Sequence, residues 1–287
     1  MVLVKSIVDP GCPVGPGLGG VPDAAELAWV ANPADLAAAA IAARLRANAG
    51  GGTVTVLTLG PPGAEPALRA ALAQGADRAL RVEREADVLS ASPLATAGAL
   101  AAVLEEDSPD LVLCGAQASS HHGGQVGPAV AALLGWPHVS SVVSVDRDGR
   151  TASLALERLG GGGRREVLEV PLPSVLAIAP EAEPLEEPGL PAWVAAHSAA
   201  VEVVKSRPPR SAAPQPRLVG LGPPRPRPKR IFTPSSDLPA EERIKLLLLG
   251  GVKQKEAGVV EGSVELVADQ LIKFLLERAV APEESGA

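Results

Sequence analysis

A glycine-rich loop, residues 115–128, carries the groups of this chain best suited to hold a ligand. The loop has three glycines near its end: Gly123, Gly124 and Gly127. Because these residues have no side chains, a ligand can approach the backbone closely. A helix predicted to begin near Val126 would direct its first N–H groups at the same point, which favours a bound phosphate. The hydroxyls of Ser119 and Ser120 could donate further hydrogen bonds.

The loop does not indicate metal or catalytic chemistry. His121 and His122 could offset the charge of a phosphate, or they could be solvated. A metal pair is not expected, because adjacent residues rarely converge on one ion and no third ligand is suggested. We find no pattern typical of a nucleophile with its base, a metal cage or a phosphate-loop lysine, so a binding protein without catalytic residues is expected. An ordinary glycine-rich surface loop is the alternative, since a glycine cluster alone is a weak motif.

The segments around this loop alternate between strand-like and helix-like patterns. Residues 110–114, directly before the loop, form a near-continuous apolar run, as expected for a central parallel strand covered on both faces. The other predicted strands span residues 2–5, 53–59, 78–82, 138–145, 151–156 and 173–179, with a further short strand at 167–170. The predicted helices span residues 32–48, with Asn32 as N-cap, and residues 65–74, 92–106 and 126–134. This order predicts an α/β fold with an open, mostly parallel, doubly wound sheet, in which ligands bind beyond the carboxyl ends of the strands.

Beyond residue 179 the composition changes. Residues 180–191 are acidic and contain prolines, which predicts an exposed extended arm. Residues 206–230 are rich in proline and arginine and are expected to form a linker. Helical patterns return at 237–249 and 263–279. The expected division is a nucleotide-binding α/β domain over residues 1–205, a linker over 206–230 and a helical segment over 231–287.

The composition of the 287 residues restricts the class of protein. Apolar residues make up 46% and aromatic residues 2%, with no Tyr, so the core must consist mainly of Ala, Val and Leu. A net charge of -7 argues against nucleic acid as a partner. Cys12 and Cys114 form no CxxC pair, which suits the reducing cytoplasm. We see no signal peptide and no apolar run of about 18 residues, so a protein that is not embedded in a membrane is expected.

Four separated stretches resemble the β subunit of electron transfer flavoproteins, the EtfB/FixA family. The first stretch is the loop with the helix after it, where the family has three short patterns. Gly115-Ala116-Gln117-Ala118 is similar to its Gly-x-Gln-Ala, and Gln125-Val126-Gly127-Pro128 contains its Gln-(Val/Thr)-Gly. At the end of the helix, Leu134-Gly135-Trp136-Pro137 is similar to its Leu-Gly-x-Pro. Residues 2–9 are similar to the family's first strand, and residues 67–79 to its Leu-Arg-x-Ala-Leu-Ala-x-Gly-Ala-Asp segment. Asn32-Pro33-Ala34-Asp35 resembles its Asn-Pro-(Phe/Tyr)-(Asp/Cys) motif. The resemblance runs in order through residues 1–205, which makes it more specific than any one motif.

This resemblance implies a heterodimer with an α subunit, an adenine nucleotide α hydrolase-like sheet and an extended C-terminal arm. The two subunits would carry FAD and pass electrons from flavin-dependent dehydrogenases towards a quinone oxidoreductase or another acceptor. In the family, the cleft of the β subunit holds AMP or, in electron-bifurcating members, a second FAD. Leu3 would lie by the adenine, Asn32 and Leu59 would border the nucleotide, and residues 123–126 would cradle the phosphate. The implied cofactor-binding residues are Leu3, Asn32, Leu59, Gly115, Gln117, Ser119, Ser120, His121, His122, Gly123, Gly124, Gln125, Val126 and Gly127.

Residues 120–123 depart from the family pattern. Family members usually have acidic residues, and often a Thr, where this chain has Ser120-His121-His122-Gly123. The departure leaves both AMP and FAD open as the ligand. Because the acidic and Thr positions of the bifurcating type are absent, AMP is the expectation.

A partner-docking site is implied near residue 190. Leu190-Pro191 falls where the family has a leucine-bearing recognition loop that docks into dehydrogenases, and Trp193 follows. Glu186 and Glu187 flank these residues, and an apolar anchor within a polar rim is typical of docking sites. The alternative is that Trp193 packs against the α subunit. The resemblance also implies that the helical segment 231–287 docks on the α subunit.

Two other functions fit the same broad fold less well. An adenine-nucleotide-binding regulatory protein of the universal-stress type would need a Gly-x-x-Gly-x(9)-Gly-(Ser/Thr) run near the end of the fourth strand, which is not found. An enzyme of the adenine nucleotide α hydrolase type would need a Ser-Gly-Gly-x-Asp loop after the first strand, where Ile7-Val8-Asp9-Pro10 stands instead.

Overall fold

Alternation of apolar strands with alanine-rich helices produces a layered α/β fold in a computed structural model of the chain. The structure describes residues 1–12, 27–84, 92–120, 122–146, 153–160, 164–182, 186–205, 233–248 and 262–279. Their strands are β1 (Val2–Leu3), β2 (Ser6–Val8), β3 (Trp29–Ala31), β4 (Thr55–Gly60), β5 (Arg78–Glu83), β6 (Leu111–Gly115), β7 (His138–Asp146), β8 (Ser153–Leu159), β9 (Arg165–Pro171), β10 (Ser174–Ile178) and β11 (Val201–Lys205). Their helices are α1 (Pro33–Asn48), α2 (Glu65–Ala73), α3 (Pro93–Asp107), α4 (Val126–Leu134), α5 (Leu190–Ser198), α6 (Ala240–Leu248) and α7 (Val264–Ala279).

Within the described residues, nine strands form one sheet in the order β11-β5-β4-β1-β6-β10-β7-β8-β9. The pairs from β11 to β7 are parallel, whereas β8 pairs antiparallel with both β7 and β9. From β1 the chain proceeds to β4 and β5 on one side and later returns to β6 on the other side. A topological switch point therefore lies between β1 and β6. The predicted open, mostly parallel, doubly wound sheet is confirmed.

Helices cover both faces of this sheet. On one face α1 and α2 contribute to a buried cluster that includes Ile41 and Val2. On the opposite face α3 and α4 contribute to a second cluster that includes Val130 and Leu3. The neighbours Val2 and Leu3 thus point to opposite faces, as the two-residue period of a strand requires. Both clusters consist mainly of Ala, Val and Leu, as the composition predicted.

The first predicted strand, residues 2–5, is shorter in the structure, and a separate strand that was not predicted follows it. Val2–Leu3 belongs to the large sheet, whereas Ser6–Val8 pairs antiparallel with Trp29–Ala31. The sequence pattern did not reveal Trp29–Ala31 as a strand because three residues are too few to show a period. Residues 4 and 5 consequently lie at the carboxyl end of β1, beside the switch point.

The extended arm predicted for residues 180–191 is wrong at its carboxyl end. There α5 begins at Leu190, with Gly189 as its N-cap residue and Pro191 in its first turn. A proline is tolerated in a first turn because its missing N–H would have no partner there and its φ already suits a helix. The edge strand β11, which the sequence analysis did not predict, follows α5 and pairs with β5.

The chain divides into two compact units, Met1–Pro223 and Pro224–Ala287. The second unit contains α6 and α7, and the bounds of these helices agree to within a few residues with the helices predicted at 237–249 and 263–279. The predicted linker, residues 206–230, lies outside the described residues, and the expected domain boundaries stay a prediction. Among the described residues, none of the helices has the length and apolar character needed to cross a membrane.

Candidate functional site

The loop that follows β6 lies at the switch point of the sheet. β1 and β6 are parallel neighbours, with Leu3 paired to Cys114. The chain segments that leave their carboxyl ends, residues 4–5 and 116–125, therefore emerge side by side. In open parallel sheets this crevice is the position at which ligands bind. The first residue of the loop is fixed to the next strand by a 2.7 Å hydrogen bond from Ala116 N to Ile178 O.

Asn32 holds this loop through its side chain. Its Nδ2 donates to the carbonyl of Gln117 at 3.2 Å, and its Oδ1 accepts the backbone N–H of Ser119 at 3.2 Å. The side chain is almost fully buried, and it makes no capping hydrogen bond to α1, although Asn32 occupies the N-cap position. Asn32 therefore fixes the shape of the loop, whereas the sequence analysis predicted only an N-cap and a border of the nucleotide.

Asp35, in the first turn of α1, connects the two strands of the switch point. Its Oδ2 accepts the backbone N–H of Lys5 at 2.8 Å, and its Oδ1 accepts the backbone N–H of Gly115 at 2.7 Å. Burial raises the pKa of this carboxyl to about 6, against the opposing effect of the backbone hydrogen bonds and of Lys5. This role was not predicted from the sequence. An acidic residue on the otherwise apolar, buried side of α1 was the available signal.

Gly115 is a glycine because α1 lies directly against the end of β6. A Cβ at this position would stand 2.4 Å from Asp35 Oδ1 and 2.8 Å from Ala34 Cβ. At Gly127 a Cβ would stand 2.8 Å from the sulfur of Cys114. Cys114 is buried, and burial raises the pKa of its thiol to about 12, which fits the packed core thiol that the sequence predicted. The two glycines permit close packing within the protein.

The far end of the loop is open to solvent. Gly123, Gly124 and Gln125 are exposed, and α4 begins at Val126 as predicted. Gly124 adopts φ +57°, where a Cβ would stand 2.8 Å from the carbonyl oxygen of Ala116. His122 is also exposed and has a positive φ of 53°, while His121 lies outside the described residues. The exposed backbone at the start of α4 can therefore receive an anion through its N–H groups.

Lys5 adds a positive charge to the same loop. Its Nζ donates a 3.3 Å hydrogen bond to Ser120 Oγ, although the two residues are 115 positions apart. Burial lowers the pKa of the Lys5 ammonium, and the nearby Asp35 carboxylate opposes that effect. Lys5 was not predicted as a site residue, because its proximity to the loop depends on the pairing of β1 with β6.

The two leucines expected beside the nucleotide contribute to the core of the fold. Leu3 is buried in the cluster under α3 and α4, and Leu59, near the end of β4, is partly buried against the same cluster. Their side chains therefore pack in the core near the carboxyl ends of β1 and β4. The expected contacts of Leu3 and Leu59 with a nucleotide stay a prediction.

The residues predicted to dock a partner lie on α5, which is far in sequence from the loop after β6. The side chains of Leu190 and Trp193 are 76% and 42% exposed. The carboxyl end of α5 is anchored by Arg69 of α2, whose guanidinium donates hydrogen bonds to the carbonyls of Ala196, His197 and Ala199 at 3.1, 2.7 and 3.0 Å. The apolar residues are thus presented on a helix that is fixed at its far end.

Comparison with protein families gives a match over most of the first unit. The model of the family described as "Electron transfer flavoprotein domain" matches residues 21–209, more than half of the chain. The matched region contains the loop after β6, Asn32, Asp35 and α5.

Individual relatives are similar over about half of this chain. Protein FixA of Azorhizobium caulinodans is 39% identical over 157 residues, which cover 52% of this chain and 54% of that protein. An electron transfer flavoprotein subunit beta of Thermoanaerobacterium thermosaccharolyticum is 41% identical over 147 residues, covering 51% of this chain and 55% of the relative. Another electron transfer flavoprotein subunit beta, from Bradyrhizobium diazoefficiens, is 35% identical over 162 residues, which cover 56% of this chain and 64% of that protein. The chain thus spans little more than half the length of the curated relatives it matches.

Proposed function

Because this chain belongs to the electron transfer flavoprotein family, we propose that it is the β subunit of a heterodimeric electron transfer flavoprotein. Several of its relatives bear the name subunit beta. In this role the chain carries electrons together with its partner and performs no substrate chemistry of its own. The α subunit, a flavin-dependent dehydrogenase as donor and a downstream acceptor are the partners of this proposal.

The observation that carries the proposal is the loop at the switch point between β1 and β6. Its exposed residues 123–125 lie directly before α4, which begins at Val126, and their backbone can bind the phosphate of a nucleotide. Asn32 holds the other end of the loop, and Leu3 and Leu59 supply apolar side chains near the carboxyl ends of β1 and β4. An adenine nucleotide, which joins a charged phosphate to an apolar base, fits this combination of an N–H-rich loop and neighbouring apolar side chains. We assign AMP to the site, with a second FAD as the alternative.

FAD shared with the α subunit would supply the redox chemistry of the complex when it is bound. The contribution of this chain is to bind and to orient. The loop offers backbone N–H groups and glycines beside the ammonium of Lys5, which suits a bound phosphate. Cys12 and Cys114 form no disulfide, which is consistent with the reducing cytoplasm proposed for the protein.

Partner docking is assigned to two regions. Leu190, Pro191 and Trp193 on α5 would contact the dehydrogenase, since their exposed apolar side chains are presented by a helix anchored through Arg69. The second unit would dock on the α subunit, because α6 and α7 expose apolar side chains such as Leu248 and Phe274.

Purification of the chain with its α subunit tests this function. The complex should show flavin absorbance, and a flavin-dependent dehydrogenase with its substrate should bleach that absorbance. A stable, flavin-free monomer that does not pair with an α subunit would contradict the proposal. If that monomer still bound an adenine nucleotide, a regulatory protein of the same fold would be the better description.

A further inference from the structure

We propose that Lys5 supplies the cationic side chain that binds the phosphate of the nucleotide at the switch-point loop. This inference rests on the proposed function, because it concerns the ligand of the same site. It adds a residue that neither the glycine pattern of the loop nor its helix start indicates.

The position of Lys5 is the first argument. Lys5 lies two residues beyond β1, and the loop begins directly after β6, which is paired with β1. Its Nζ lies 3.3 Å from Ser120 Oγ, on the part of the loop that leads to the exposed residues 123–125. The ammonium is therefore placed on the loop itself.

The backbone of Lys5 is held firmly, which is the second argument. Its N–H donates to Asp35 Oδ2 at 2.8 Å, and its carbonyl accepts the N–H of Asn32 at 2.9 Å. Both hydrogen bonds come from the amino-terminal end of α1, whose residue Asn32 also fixes the loop. The ammonium and the loop are thus positioned by the same helix, and such preorganisation reduces the entropy lost when a ligand binds.

Electrostatics gives the third argument. The chain carries a net charge of -7, and the carboxylate of Asp35 lies directly behind the loop, so an approaching phosphate meets an unfavourable field unless a cation offsets it. Lys5 is half-buried, and a charge pair is stronger where water is partly excluded. Burial also lowers the pKa of Lys5, and a bound phosphate would favour its charged form again.

The matched pair of ligands AMP and adenosine separates this role from a structural one. Calorimetric titration of the nucleotide-free full chain with each ligand should show that Lys5→Met weakens AMP binding by about ten- to hundredfold, the range expected for one hydrogen bond to a charged group. Adenosine binding should change by less than about twofold, because adenosine has no phosphate. Lys5→Arg should restore most of the AMP affinity, since it keeps the charge. Lys205→Met, at the exposed end of β11, is the control and should alter neither affinity.

Three outcomes would overturn the inference. Unchanged AMP affinity in Lys5→Met would show that the ammonium does not contact the phosphate. Equal losses for AMP and adenosine, with no rescue by Lys5→Arg, would show that Lys5 only supports the fold, which urea unfolding of the variant would reveal independently. Absence of AMP binding by the wild-type chain would instead refute the proposed ligand of the site, and the inference with it.

Discussion

The carboxylate of Asp35 accepts a 2.7 Å hydrogen bond from the backbone N–H of Gly115, a residue 80 positions further along the chain. This contact joins the first turn of α1 to the end of β6, where the switch-point loop begins. The second oxygen of the same carboxylate holds Lys5 at the end of β1. One buried side chain therefore fixes the relative positions of both strand ends that border the site.

The protonation of Asp35 should make the stability of the chain depend on pH. Burial raises the pKa of this carboxyl in the folded chain from 3.8 to about 6. Between these values the folded chain holds a proton that the unfolded chain releases, so this group makes the free energy of unfolding fall as the pH rises from about 4 to about 6. The contribution is at most about 3 kcal/mol. Asp35→Asn cannot titrate and should lose this slope in urea unfolding measured across that range.

Asp146→Asn is the matched control for that comparison. The side chain of Asp146 is 71% exposed and pairs with Arg44 at the surface, where an ion pair contributes little. This variant should keep the slope of the wild-type chain. Equal slopes for wild type and Asp35→Asn would mean that Asp35 does not titrate in this window.

Gly115→Ala should destabilise the chain and weaken nucleotide binding. The added Cβ would stand 2.4 Å from Asp35 Oδ1 and 2.8 Å from Ala34 Cβ, so the hydrogen bond between Asp35 and the loop must be displaced. Overpacking of this kind costs about 1–3 kcal/mol in the free energy of unfolding. Gly63→Ala is the control, because a Cβ there meets no atom within 4 Å and should cost nothing. If both variants unfold at the same urea concentration as wild type, the close packing described for Gly115 is incorrect.

Arg69→Met should loosen α5 without unfolding the sheet. The substitution removes hydrogen bonds to the carbonyls of Ala196, His197 and Ala199 while it keeps most of the aliphatic side chain. The local opening of α5 should become easier by about 1–2 kcal/mol, and hydrogen exchange of residues 190–198 would report it as faster exchange. Arg165→Met, which removes an exposed pair with Glu157, should leave exchange in α5 unchanged. Unaltered exchange in Arg69→Met would refute the anchoring role.

Trp193→Ala and Leu190→Ala should weaken the encounter with the dehydrogenase. Truncation of an apolar docking residue typically costs about 1–2 kcal/mol, so the KM for the dehydrogenase should rise about five- to thirtyfold. The flavin content of the complex should stay constant. Val167→Ala, an exposed apolar residue on β9, is the control. Loss of the α subunit or of flavin from Trp193→Ala would indicate that Trp193 packs against the α subunit instead.

The local features of the fold could be predicted from the sequence. The apolar run before the loop predicted β6, and the glycines with the helical pattern after them predicted the loop and α4. Such elements can be predicted because they depend on residues that are neighbours in the sequence. The extended arm predicted for residues 180–191 was wrong at Leu190 and Pro191, because Pro191 is equally compatible with the first turn of a helix.

The long-range part of the site could not be predicted in this way. Asp35 and Lys5 are separated from the loop by 80 and 115 positions. The packing of α1 against β6 brings Asp35 to the loop, and the pairing of β1 with β6 brings Lys5 to it. A charged residue at the end of a strand or in the first turn of a helix is common, so its type and spacing alone do not distinguish a structural role from a binding role.

The number of flavins and of AMP molecules per complex tests the central claim most directly. The complex of this chain with its α subunit would be denatured in acid, and the released FAD and AMP would be separated by chromatography and quantified against protein. A nucleotide site of the AMP type at the switch point predicts one FAD and one AMP per complex. Two FAD and no AMP would contradict the assignment of AMP, and one FAD with neither AMP nor a second FAD would contradict a nucleotide site in this loop.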